Sequence, residues 1–387
     1  MNHQVKLLAR ILKPKASILL PRGTIHQLSQ FTNFLQGFRS PNAKTDWNKA
    51  ILDAEKVVGY TTSYLNLRFL LSDEMSNIAY HLRSLVGSGH PLLKTAKKIL
   101  ADGKTSMQTR SLTVLLLSKA AGFADQDVTA AEKSSEILQS QRVLAEITEM
   151  LHTGFMIHRC IVKIPLKLQK SGDNFSAKEN MDFGNKLSIL TGDYLFANAS
   201  TLLASLRNPK VVEIVSAAIG DFSESEFYGK KSANGSQEFD SNFQVSDWLS
   251  KIETSAASLL ARSCQGALVL SGHSEDHQKK AFELGRNLAI ACQANEDITA
   301  FNNAVSDSKY DLDGSCLPLV IWLSKNSNNL EASLLPEKII KMANTDEVLS
   351  QAQELKYSHL KMALENLSYF PDGIARNALE KIMNSLR

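Results

Sequence analysis

Helical spacing runs through this chain, and no part of it reads as a sheet. From Gln141 to Ile164, apolar residues fall at Leu144, Ile147, Leu151, Ile157 and Ile161, at intervals of three, four, six and four. Those intervals return side chains to one face of an α-helix, and Pro165, with no amide proton, is expected to end it. Leu112 to Ala121 is a nearly continuous apolar run ending at Gly122; being Leu-rich, it reads as a buried helix rather than a buried strand. Phe183 to Leu206 is apolar almost all round, which predicts a helix in the middle of a bundle. Trp248 to Leu270 and Lys279 to Phe301 repeat the pattern. Pro336 to Leu386 offers further amphipathic helices around a Pro371-Asp372-Gly373 turn. No Val/Ile/Thr run alternates with polar residues as a sheet requires. The predicted fold is all-α: an antiparallel bundle of about ten helices, large enough to enclose an apolar cavity.

Charge separates the first segment from the rest. Met1 to Thr45 contains no Asp or Glu but carries Lys6, Arg10, Lys13, Lys15, Arg22, Arg39 and Lys44. The whole chain is formally +3, so removing those seven positive charges leaves −4 on the remainder. A nucleic-acid surface on the folded part is therefore not expected. Spaced basic residues among Val5, Leu7, Leu8, Ile11 and Leu12, with no acids, fit a mitochondrial transit peptide over 1–45, followed by one all-α domain over 46–387. The plainer alternative is a disordered basic tail without an address. The run Ala16 to Leu20 is interrupted by Ser17 and stopped by Pro21, unlike a secretory signal. No stretch reaches the roughly 18 apolar residues of a membrane span. Cys160, Cys264, Cys292 and Cys316 are too scattered for a zinc site or a disulfide scaffold and read as packing residues. Ser223 to Phe243, polar and Gly-containing, reads as a long loop within the domain.

Four segments, in order, carry a resemblance. Glu149-Met150-Leu151-His152-Thr153 is followed, after four residues, by His158-Arg159-Cys160-Ile161-Val162-Lys163. Phe183-Gly184-Asn185-Lys186 runs into Leu190-Thr191-Gly192-Asp193-Tyr194-Leu195. Leu284-Gly285-Arg286-Asn287-Leu288-Ala289 leads to Gln293-Ala294-Asn295-Glu296-Asp297. Thr109-Arg110-Ser111 opens the Leu112 helix. Together, over roughly residues 46 to 330, the chain resembles the trans-prenyltransferases of the polyprenyl diphosphate synthase family, which implies the isoprenoid synthase helical bundle.

In that family, Mg²⁺ ions bridge two Asp-rich motifs and the pyrophosphate of an allylic substrate. Mg²⁺ is a hard cation that takes oxygen ligands. Here the aspartates of the first motif fall on Arg159, Cys160 and Lys163, a change in formal charge from −3 to +2. Like charges about 4 Å apart repel by about 1 to 4 kcal/mol, so that half of the metal site is expected to be lost. In the second motif Glu296 and Asp297 remain, Ala300 replaces the third acid and Gln293 is kept. The two acids read either as solvated surface residues or as a residual Mg²⁺ site. The diphosphate-binding cations also thin out. Arg110 holds the Arg position of Gly-Lys-x-x-Arg-Pro, Met107 takes the Lys position and Ser111 the Pro position, with Lys104 out of register. Ser255-Ala256-Ala257 stands where Lys-Thr-Ala is usual, and Gly314-Ser315-Cys316-Leu317-Pro318 compares with a Gly-Lys-x-Thr-x-Pro motif without its lysine. Arg110 is the candidate diphosphate-binding residue; its plainer reading is a salt-bridge partner. Gly184, Gly192, Gly285 and Ala289 read as close-approach positions, and Asp193 as a local pairing residue. His152 and His158 read as satisfied polar side chains, and Phe155 as a tunnel-lining aromatic or as ordinary core.

The resemblance implies a noncatalytic, regulatory subunit with no catalytic or metal-binding residues of its own. Mg²⁺ is expected on a catalytic partner with intact Asp motifs, the two forming a hetero-oligomer, a heterotetramer, in the mitochondrial matrix. The product would be the ubiquinone side chain. The rival readings are a self-active trans-prenyltransferase and a polyprenyl-lipid-binding helical protein. Neither a nucleic-acid partner nor a transmembrane segment is expected.

Overall fold

A computed structural model describes residues 46–59, 90–93, 95, 109–124, 129, 136–162, 175–228, 242–306, 312–326 and 336–387. The expected transit peptide at 1–45, Lys104, Met107 and Lys163 lie outside the described residues, as does most of the expected long loop. Twelve α-helices follow one another among the described residues: α1 Asp46–Val58, α2 Thr109–Ala121, α3 Gln139–His158, α4 Phe175–Ser205, α5 Pro209–Ser225, α6 Val245–Ile252, α7 Ser258–Leu270, α8 Glu275–Ser306, α9 Leu317–Asn326, α10 Pro336–Ala343, α11 Asp346–Leu367 and α12 Ile374–Asn384. A five-residue π-turn, Glu253–Ala257, joins α6 to α7. No strand occurs among the described residues, so the all-α expectation holds.

The centre of the bundle is α2, α3, α7 and α8. In α2 the Leu112, Val114, Leu115, Leu116 and Leu117 side chains are all buried, so its apolar run faces protein on every side. Gly122 and Gly272, at φ +70° and +74°, let the chain leave α2 and α7 in the left-handed region. Asn208 caps α5 by accepting from Val211 N–H at 3.1 Å, with Pro209 opening the helix. Gln141 accepts from Leu138 N–H at the start of α3 (3.0 Å) and donates to the Ala267 carbonyl of α7 (2.9 Å), tying the two helices.

Gly285 sets how near α7 and α8 come. A Cβ there would lie 2.9 Å from both Ala261 Cα and Leu260 O, which are backbone atoms and cannot rotate away. Gly285→Ala is therefore expected to cost about 1 kcal/mol net. Overpacking of about 1–3 kcal/mol outweighs the roughly 1 kcal/mol that alanine gains in a helix. A urea midpoint equal to the parent's would show that the helices have room to part.

Two expectations need correction. The third helix ends at His158, well before Pro165, because Asn185 on α4 takes the next backbone out of the helix. It accepts from Val162 N–H at 2.9 Å and donates to Val162 O at 2.8 Å. The fourth helix is not surrounded. It packs on α3 through Leu187, Ser188, Leu195, Ala199 and Leu203, while Ile189, Leu190, Asp193, Ala197 and Thr201 face outward.

Candidate functional site

The degenerate first motif sits where α3 ends, and α4 fixes that end. His90 Nδ1 accepts from Leu92 N–H (3.1 Å), which leaves Nε2 protonated to donate to Asn185 Oδ1 (3.1 Å). Asn185 in turn holds Val162. Burial keeps the His90 imidazole below its ordinary pKa, and the Asn185 hydrogen bond opposes this without reversing it. A Cβ on Gly184 would meet the His90 ring at 2.5 Å, and one on Gly192 would meet the His158 ring at 2.1 Å. The close-approach reading of both glycines is thus accounted for. His158 lies 3.2 Å from Asp193 and stacks on Phe196.

Arg159 forms the cap after α3, and its Nε meets Glu226 Oε1, at the end of α5, at 3.2 Å. Its guanidinium also lies 5.8 Å from the Phe155 ring, which stacks on Phe222 of α5 with centroids 4.4 Å apart. Phe155 is thus spent on core packing between α3 and α5. Cys160 is buried against Leu92, Ile157, Leu187 and Leu195, its Sγ 3.1 Å from Thr95 Oγ1. Burial raises its pKa, so it is a thiol and offers a metal no anionic donor.

Of the two acids kept in the second motif, Glu296 is half-buried, and the Asp297 carboxylate is held by protein, which corrects the surface reading for Asp297. Asp297 Oδ2 accepts from the Trp248 indole N–H (2.9 Å) and from Leu317 N–H at the start of α9 (2.9 Å), and Oδ1 accepts from Gln293 (2.8 Å). Burial pushes this carboxyl up to about 7 against the lowering effect of its three donors. It therefore caps α9 and anchors α6, and both oxygens are occupied by protein. Ala300 contributes no ligand atom.

Two charged residues that sequence reasoning passed over meet here. Lys251 stands four residues before Ser255, the position aligned with the family's lysine, and donates to Ser315 Oγ at 2.7 Å. One extra residue in the π-turn rotates α6 relative to α7 by about 100°, which a period-based reading does not register. Asp313 accepts from Ser315 N–H (2.8 Å) and Ser315 Oγ–H (2.7 Å). Asp313 stays solvent-accessible although its carboxylate is crowded. Burial would raise its pKa, but Lys251 and the Ser315 hydrogen bonds hold it below the ordinary value. Burial lowers Lys251, and Asp313 opposes that shift.

The remaining motif residues are structural. Glu149 is buried and accepts Ser111 N–H (3.1 Å) and Oγ–H (2.9 Å), pinning the start of α2 to α3. A proline at 111 has no such N–H to give. Burial raises the Glu149 pKa, with the Ser111 N–H and Arg110 opposing it. His152 is buried and held well below its ordinary pKa, first by burial, then by Arg110 and Arg159. Contrary to expectation, its Nε2 has no hydrogen-bond partner among the described residues. Arg110 is within electrostatic reach of Glu149, His152 and Cys292. Cys264 and Cys292 are also raised by burial, Cys292 to about 12, and all four cysteines are free.

These residues do not fit a Mg²⁺ centre. The first motif supplies a guanidinium and a neutral thiol, and Asp297 already accepts three hydrogen bonds. Among the described residues no three His, Cys, Asp or Glu side chains group as metal ligands. A diphosphate would also meet Arg159 and Lys251 already matched by Glu226 and Asp313. No described helix is long and apolar enough to cross a membrane.

The Polyprenyl synthetase family profile matches residues 169–354. The chain is 37% identical over 359 residues to the all trans-polyprenyl-diphosphate synthase PDSS2 of Mus musculus, covering 89% of this chain and 88% of that protein. It is 27% identical over 364 residues to a probable mitochondrial hexaprenyl pyrophosphate synthase of Neurospora crassa, covering 80% and 78%. Among solved structures, a polyprenyl synthase from Caulobacter crescentus shares the fold, with a TM-score of 0.60 at 19% identity, over 89% of this chain and 98% of that one.

Proposed function

The chain belongs to the polyprenyl synthetase family, and from that premise we propose that it is a noncatalytic subunit of a heteromeric trans-polyprenyl diphosphate synthase. The observation that carries this reading is the pairing of Arg159 with Glu226 where a metal-binding aspartate would stand. The chain retains the bundle, while the positions that would grip magnesium pyrophosphate hold a guanidinium, a thiol and two acids, of which Asp297 is already committed to capping α9. Its contribution is packing and preorganisation of a partner that carries intact Asp motifs and the Mg²⁺. The outward stripe of α4, beside the end of α3, is the face proposed to receive that partner. The complex, a heterotetramer in this reading, would work in the mitochondrial matrix and make the ubiquinone side chain. The mitochondrial name of the Neurospora relative supports the compartment, and the acid-free residues 1–45 are the proposed address, ahead of one domain over 46–387.

Reconstitution tests this directly. The purified chain is assayed with allylic diphosphate, isopentenyl diphosphate and Mg²⁺, alone and with a synthase subunit whose Asp motifs are complete. Full-length product is expected from the pair and none from this chain alone. The proposal fails if the partner elongates equally well by itself. Turnover by this chain alone would instead establish the self-active reading.

A further inference from the structure

The charges around the end of α3 join segments far apart in sequence. Arg159 on the α3 cap reaches Glu226 on the α5 cap at 3.2 Å. Lys251 on α6 donates to Ser315 Oγ at 2.7 Å, and the Ser315 hydroxyl in turn donates to Asp313 Oδ1 at 2.7 Å. The two pairs lie within electrostatic reach of each other. Glu226 and Asp313 both favour the charged form of Lys251, while Arg159 disfavours it and helps hold Asp313 ionised. Asp297 lies beside them, fixed on α6 through Trp248 and on α9 through Leu317. Formal charge balances between the two cations and their two carboxylates.

We infer that Arg159, Glu226, Lys251 and Asp313 form a ligand-independent clamp, in which cations of the chain itself bridge α3, α5, α6 and the 312–316 loop. The Arg159 and Glu226 side chains are 35% and 36% exposed, so that pair alone contributes little. The clamp works as a network: the serine relay fixes the loop, and the loop carries Cys316 and Leu317 onto Asp297. A region assembled this way needs neither metal nor diphosphate to hold its shape. This holds whether or not the chain assembles with a synthase, because it concerns contacts within one chain.

Hydrogen exchange of the full chain tests it at the amides of Ser315 to Leu317 and of Glu253 to Ala257. In the parent, adding Mg²⁺ with inorganic pyrophosphate is expected to change exchange there less than twofold. Lys251→Met and Asp313→Asn are each expected to speed it about tenfold while α8 and α11 stay protected. The double variant should be no faster than the faster single one. Tenfold slowing of the parent by Mg²⁺ and pyrophosphate would overturn the inference, since ligand would then complete the region. So would single-variant effects that multiply in the double. The parent measurement decides the matter even if a variant fails to fold.

Discussion

Asp297→Ala is expected to lose about 3–5 kcal/mol of stability, a large loss for a single side chain in this fold. Three donors would be stripped of their acceptor at once: the Trp248 indole, the Leu317 amide at the start of α9, and Gln293. Each buried donor left unpaired costs about 1–3 kcal/mol, and neighbouring losses do not add fully. The α9 start also loses its cap, typically about 1 kcal/mol. Equilibrium urea unfolding reads the loss, and a shift below about 1 kcal/mol would mean that water replaces the carboxylate.

The same residue gives a pH signature. Burial places its pKa near 7 in the folded chain, above the ordinary carboxyl value of 3.8. Between roughly pH 4 and pH 7 the folded chain therefore binds the proton more tightly than the unfolded chain. Its contribution to stability is greatest at the acid end of that window and declines as pH rises through it. Asp297→Asn keeps one acceptor oxygen and cannot titrate, so it should flatten that part of the stability profile at a smaller cost than alanine.

What the sequence shows and what it hides divide along contact range. The α2 helix is legible because its Leu-rich run and the closing Gly122 are local signals, and α11 and α12 because their apolar periods and the intervening turn are local too. The early end of α3 is hidden, because the clamp on Val162 comes from Asn185 on another helix. The lack of carboxylates at positions 159 and 160 is plain from Arg159 and Cys160 themselves. The new task of Asp297 is not, since its donors Trp248 and Leu317 lie 49 and 20 positions away. Lys251 is hidden because it stands four residues before the motif position at 255, and the π-turn that aims it breaks the 3.6-residue count. The apolar character of α4 is visible, but composition alone cannot tell a helix covered on every side from one with an exposed face, as α4 has at Ile189 and Leu190.

That face yields the second large effect. Replacing Ile189 and Leu190 together by aspartate is expected to weaken assembly with the proposed synthase partner at least ~100-fold, about 2.7 kcal/mol or more. Both side chains stand outward on α4, 43% and 57% exposed, and neither belongs to the packed interior. Burying two such side chains in an interface contributes about 1.5–3 kcal/mol each, and a carboxylate in their place would be desolvated without a counterion. Asp193, one turn further along, already brings one acid to this stripe, so two more add like-charge repulsion. The fold itself should hold, because the α3-facing side of α4 is untouched: Leu187, Leu195, Ala199 and Leu203 stay buried. The measurement pairs two readouts on the double variant: its unfolding midpoint, expected within about 1 kcal/mol of the parent, and its affinity for the partner by sedimentation. Parent-like affinity in a normally folded variant would remove α4 as the docking face and place the partner on another surface of the bundle.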